Sequence, residues 1–404
     1  MKKLIALLMA MAMVFALVAC GNNDAPVADA PANDPVSDAP AVETPADESA
    51  VDAPADNVIV GNMEGVGNVV PVADGDIPTL DEFVACLEPY ADESKSGNLV
   101  VYTTSSEQEM EAGLAMFNAL FPNIKVEFIT AGTAELIARI EAEAANPQGD
   151  IMWGGVGQSS YDSQGHLFEK YQPANYANLK EVYQTDQNIN WNNCISSCLM
   201  VNEALEEELG ITVNSYEDLL QPELKGWIIS ADPLASSTAR VWMMSALLAH
   251  GGVDSPEAWD YVDKLIDQLD GYLGSSSSNV YTMPVTGEFA VGLGPSSETY
   301  KAQRDGAGVR YVAIGPTIEQ AYGHGMIKGA PNAENAKLFM DFLLSDAMQS
   351  YYMIMGSNSP SATATVYDEN LTAALENLVL ADVDWATFGE QTDSFKAPWA
   401  EHWG

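Results

Sequence analysis

Beyond about residue 97 the apolar positions switch between two periods. Asn98-Leu99-Val100-Val101-Tyr102-Thr103 is an apolar run suited to a buried strand. From Ser105-Ser106-Glu107-Gln108-Glu109 the apolar residues recur at helical spacing through Phe117 and Leu120, and Pro122 ends them. Ile124 to Ile129 alternates as a second strand, Thr133 can cap a helix through Ala145, and Asp150-Ile151-Met152-Trp153 reads as a third strand. Strand, helix, strand, helix, strand implies right-handed crossovers and a parallel sheet with helices on both faces. The pattern recurs with Trp227 to Ser230, a helix from Thr238 to His250 stopped by Gly251-Gly252, strands at Glu288 to Leu293 and Val309 to Ile314, and an amphipathic helix from Asn335 to Leu344. Ser275-Ser276-Ser277-Ser278 and the Gly-Pro breaks interrupt the strands, so two α/β lobes are expected, not one large sheet.

The first residues read differently. Lys2 and Lys3 precede an apolar run from Leu4 to Ala19, shorter than the roughly 20 residues a membrane span needs, and Leu17-Val18-Ala19-Cys20 resembles a bacterial lipobox. A lipoprotein signal over residues 1–20 is expected, with Cys20 lipidated and two acyl chains holding the mature chain on the outer face of the membrane. From Gly21 to about Asp76 the chain repeats Ala, Pro, Asp, Val and Glu, with no Lys or Arg between Lys3 and Lys95. Such a segment buries too little apolar surface to offset its ordering entropy, so residues 21–96 read as an acidic, disordered tether.

The formal net charge of −42 argues against nucleic acid as a partner, because phosphates would be repelled. Besides Cys20 there are Cys86, Cys194 and Cys198, an odd number that cannot all pair internally. On an extended strand, four residues would hold Cys194 and Cys198 about 13 Å apart, beyond the roughly 7 Å limit for a bridge. A Cys86 disulfide to one of them stays open. The four histidines form no metal or catalytic motif, and no nucleophile elbow or phosphate-loop lysine occurs. Asp382-Val383-Asp384 begins like a calcium loop, but Thr387 stands where the glycine should be. No catalytic residue, cofactor or metal site is assigned.

In open α/β sheets, ligands bind beyond the carboxyl ends of strands, where helix N-termini expose unpaired N–H groups. Hydroxyl-rich turns fall at such places: Thr104 and Ser105 after the first strand, Thr133 after the second, and Ser237 and Thr238 in the second half. Ser106 and Glu109 have capping-box spacing and satisfy their own helix. Trp153 beside Gly154-Gly155 suits either a pocket wall or the core. Glu298, Tyr300 and Tyr322 can add a carboxylate and phenols.

Several of these segments together carry a resemblance. Leu99 to Thr103, Ala134 to Ile140, Asn146 to Gly155, Gly287 to Leu293, and Ile327 to Asn332 through Phe342 to Ser345 resemble the ferric-iron and 2-aminoethylphosphonate-type periplasmic binding proteins of ABC importers. The resemblance runs from about Asn98 to Trp403. It implies a type II fold: two α/β lobes, each a mostly parallel sheet flanked by helices, joined by a strand hinge. Its chain path implies a first lobe at 97–190 and 315–360 and a second at 191–314 and 361–404. It implies a monomer that closes on a small solute and delivers it to permease subunits, touching the membrane through its lipid alone. The positions it places in the cleft are Thr104, Ser105, Thr133, Trp153, Ser237, Thr238, Ser277, Ser278, Ser297 and Glu298. Iron-binding members carry an adjacent tyrosine pair where this chain has Gly294-Pro295-Ser296-Ser297, and Tyr351-Tyr352 lies elsewhere. The expected ligand therefore shifts from ferric iron to an organic oxyanion such as a phosphonate, phosphate ester or carboxylate. Within the class the alternative is a ferric-iron-binding protein of an iron importer, and outside it a surface lipoprotein that is a hydrolase or an adhesin.

Overall fold

The computed structural model describes residues 68–72 and 75–404, all within one compact unit, residues 54–404. The export signal, Cys20 and the repetitive stretch up to residue 67 lie outside the described residues.

The first lobe is built on β1 (Ser96–Thr103), which pairs in parallel with β2 (Asn123–Thr130) and β3 (Ile151–Gly157). Alternate side chains go to opposite faces of this sheet. Leu99, Val101, Ile151 and Trp153 pack with Phe117 of α2 (Glu107–Leu120), Phe339 and Phe342 of α7 (Ala333–Leu343), and α8 (Asp346–Ile354). Tyr102, Met152 and Val156 face the other way, against Leu136 and Ile140 of α3 (Thr133–Ala142). The second lobe surrounds α4 (Ser237–Ala249) and α5 (Pro256–Leu269), whose Trp242, Tyr261 and Leu265 pack with Phe395 and Trp399 of the C-terminal helix α9 (Trp385–Trp403). Each such side chain, fully buried, contributes on the order of 1.5–3 kcal/mol.

One long strand joins the lobes, and the chain crosses back after Ile318. β5 (Asn190–Asn202) pairs antiparallel with β9 (Glu319–Ile327) through Asn190–Ser196, then with β7 (Val291–Pro295) and β8 (Val309–Ala313) through Ser197–Asn202. Its Trp191 and Cys194 lie in the first-lobe core and its Leu199 and Val201 in the second. β9 runs antiparallel to β3 and also takes the short β4 (Phe168–Glu169) at its end, while β6 (Ile228–Ile229) pairs in parallel with β7. The outer strands thus follow the parallel βαβ pattern, and the hinge strands add antiparallel pairings because they enter from the opposite lobe.

Two expectations change. The tether does not extend to residue 96: α1 (Leu80–Leu87) is a helix with a Thr79/Glu82 capping box, and its Phe83 and Leu87 are fully buried in the first-lobe core. Its Leu80, Phe83, Val84 and Leu87 have helical spacing, which the acidic, lysine-free composition around them masked. No cysteine pairs among the described residues: Cys86 is half-buried, and Cys194 and Cys198 are buried four residues apart on β5.

Candidate functional site

The crevice between the lobes holds a cavity of about 680 Å³ continuous with one of about 260 Å³, the two sharing Ile195, Ser297, Glu298 and Tyr322. The larger is lined from the first lobe by Thr104, Ser105, Thr133 and Trp153. The smaller is lined from the second lobe by Ser237, Thr238 and Ser277. Nine of the expected cleft residues therefore meet in one groove, joined there by Tyr322. Ser278 does not, because its hydroxyl pairs with Ser276 at 2.7 Å at the start of the Asn279–Val285 helix. Tyr300 turns away as well: it is 1% exposed and donates to Asp368 at 2.6 Å. Trp153 reaches the groove at its floor only, with its indole buried over Gly113 and its Nε1 donating to the Tyr352 hydroxyl at 2.8 Å.

Four helices begin at this groove. α2 and α4 are capped by their own side chains, Ser106 accepting from the Glu109 amide and Ser236 from the Ala239 amide. α3 follows Gly132 and α6 (Ser296–Arg304) follows Pro295, and neither has a side-chain cap. Their first-turn N–H groups, one set from each lobe, have no side-chain acceptor and carry the positive end of the helix dipole. Gly154 and Gly155, both at φ near +78°, carry β3 around this corner. A Cβ at either would lie 2.9 Å from Thr104, and one at Gly155 equally close to the Thr133 hydroxyl.

Acidic side chains share the groove. Glu107, Glu109, Glu111 and Glu298 line the larger cavity with Lys301 as the one basic side chain among its lining residues. Burial pushes the Glu109 carboxyl up, bonds from Ser106 oppose this, and Glu298 of the other lobe adds to the rise while Lys301 lowers it. Glu109 already spends one oxygen on the Ser106 amide at 2.7 Å, closing its own capping box. The smaller cavity sets the hydroxyls and amide of Ser196, Ser197, Ser237, Thr238, Ser277 and Gln320 beside the apolar Ile195, Val241 and Pro295. Burial, with Glu298 nearby, raises the Tyr281 phenol beside it. Composition and turn signals pointed to the helix starts. They missed Glu109, Asn192, Asn193 and Gln320, which reach the groove because α2 and the hinge strands pass beneath it.

A two-lobed α/β body with a polar crevice across a strand hinge defines a solute-binding protein of the type II periplasmic class. The chain belongs to the bacterial extracellular solute-binding protein family, whose pattern matches residues 112–379. It is similar to a probable ABC transporter periplasmic-binding protein, y4fP, of Sinorhizobium fredii, with 23% identity over 67% of this chain and 77% of the relative. Among solved structures it resembles the periplasmic binding protein AfuA of Actinobacillus pleuropneumoniae, determined with fructose-6-phosphate bound. The identity is 27% and the TM-score 0.58, covering 76% of this chain and 98% of that one. The apo ferric ion-binding protein A of Pasteurella haemolytica shares the fold at 16% identity and a TM-score of 0.62, covering 76% of this chain and 98% of that one. The family and these neighbours are binding proteins, one of them described as belonging to an ABC transporter. Among the described residues no helix is long and apolar enough to cross a membrane.

Proposed function

We propose that this chain captures a small organic oxyanion, such as a phosphate ester, phosphonate or carboxylate, between its lobes and hands it to ABC permease subunits. Lipid on Cys20 holds it outside the membrane. The observation that carries the ligand class is the pair of uncapped helix starts, α3 from the first lobe and α6 from the second, lining one cavity. An oxyanion satisfies orphan amides on both lobes at once, and only such differential contact favours closure. The carboxylates Glu109 and Glu298 work against a bare dianion but accept hydrogen bonds from hydroxyl or amino groups, which supports an organic ligand over inorganic phosphate.

Thermal-shift screening followed by calorimetry against fructose 6-phosphate, 2-aminoethylphosphonate, citrate and ferric citrate tests the reading. A ligand at 100 times its dissociation constant adds about 2.7 kcal/mol of stability. Silence toward every oxyanion defeats the ligand class. A visible phenolate band on ferric loading, from Tyr281 and Tyr322, would transfer the assignment to iron. Release of a Cys20→Ala variant from the cell surface is expected, and its retention would remove the anchor.

A further inference from the structure

Asn192 is 1% exposed and yet lines the groove. It is the extra residue of a bulge on β5: Trp191 pairs with Gly323 and Asn193 with Tyr322, and Asn192 lies between them without a strand partner. β3 breaks register against the same stretch of β9, between Trp153 and Val156. Bulges bend a strand and re-aim side chains, and here two of them flank the same turn of the groove floor.

The re-aimed amide is held at both ends. Its Nδ2 donates to the Tyr352 hydroxyl at 2.9 Å, its Oδ1 faces His324 Nδ1 at 3.1 Å, and its backbone carbonyl accepts from Gln349 Nε2 at 2.9 Å. Tyr352 and His324 are both fully buried. Burial also lowers the His324 pKa to about 3, so the ring is neutral and suits a bond to a neutral amide. His324 Nε2 is left buried with no partner. Burying polar groups this way costs about 1–3 kcal/mol wherever a partner is missing, and apolar side chains of similar size would fill the space without that cost. The network ties β5, β9 and α8 together beneath the groove. It also fixes the Asn192 amide rigidly at the groove.

We infer that Asn192 is a specificity-determining ligand contact that reads the hydroxyl-bearing end of the solute, with Tyr352 and His324 as positioning residues. After its two bonds the amide retains one hydrogen and one oxygen lone pair. That donor and acceptor match a hydroxyl, which itself donates and accepts, while the oxyanion takes the helix amides. The assignment rests on the oxyanion reading above.

The test is calorimetry at fixed pH with fructose 6-phosphate, glycerol 3-phosphate and inorganic phosphate, on wild type, Asn192→Ala, Asn192→Ser and Tyr352→Phe, each checked for a cooperative melt. Asn192→Ala is expected to weaken the two hydroxyl-bearing esters by about 10- to 100-fold while inorganic phosphate stays within about threefold. Asn192→Ser keeps a neutral donor and acceptor on a shorter side chain, so it should lose less. Tyr352→Phe frees one end of the amide and should fall between wild type and Asn192→Ala. If Asn192→Ala fails to fold, the other two variants carry the comparison. Unchanged ester affinity in all variants overturns the proposal. So does equal loss of phosphate and esters in Asn192→Ser, which would place the anion on this amide. Wild type silent toward all three phosphates would instead defeat the oxyanion reading itself.

Discussion

Gly356 offers a perturbation that separates closure of the lobes from stability of the fold. It follows α8 in the first lobe at φ +90°, between the groove residues Met355 and Ser357. Opposite it is the start of α6 in the second lobe: a Cβ on Gly356 would lie 2.5 Å from the Ser297 carbonyl oxygen and 3.1 Å from its Cα. Nearby, Arg304 of α6 donates to the Ile354 carbonyl, so the two lobes meet here directly. Gly356→Ala therefore acts twice. The left-handed backbone costs an alanine about 1–2 kcal/mol whether the lobes are together or apart, which lowers the melting temperature without touching affinity. The methyl group against Ser297 acts only when the lobes are together, and overpacking of this kind costs about 1–3 kcal/mol. Converted at 1.4 kcal/mol per decade, the dissociation constant should rise by about 5- to 150-fold. Calorimetry with fructose 6-phosphate gives the affinity, and small-angle scattering with and without ligand reports whether compaction is lost. A variant that melts earlier but binds within twofold of wild type would show that this contact does not belong to the closed state.

Two further outcomes are expected. Phe83→Ala empties a fully buried site where the ring packs at 5.3 Å on Tyr351 and 5.9 Å on Tyr367, so it should cost about 3–5 kcal/mol in a denaturant melt. A negligible loss would return residues 80–87 to the tether. Asp346 is 5% exposed, and burial raises its carboxyl to about 6 against the pull of Thr363. A raised acid favours the folded state in its protonated form, so this contribution is present below about pH 4 and disappears as pH rises to about 6. Asp346→Asn should therefore stabilise more at pH 7 than at pH 4 in paired thermal melts, and an equal effect at both pH values would contradict the shift.

What could be read from the chain alone were the features that local chemistry controls. The strand at Leu99 to Thr103, the helix that Ser106 and Glu109 cap, and the hydroxyl-bearing helix starts at Thr133 and Ser237 all carry their signals within a few residues. Ser278 and Tyr300 show the limit of that locality: Ser276 competes for Ser278 only in the conformation the turn adopts, and Asp368, which takes the Tyr300 hydroxyl, lies 68 residues on. Only the tertiary structure decided the rest. Asn190, Asn192, Ser196 and Ser197 break the apolar pattern that marks a strand, yet they are buried within β5, because a hinge strand is buried between two lobes and not within one core. Helix α1 joined the folded body because Phe83 finds Tyr351 and Tyr367 some 270 residues on. The uncapped starts of α3 and α6 became one site only when the hinge set the lobes face to face. Periodicity and capping act over a turn or a strand, whereas the meeting of two lobes depends on contacts between residues far apart in the chain.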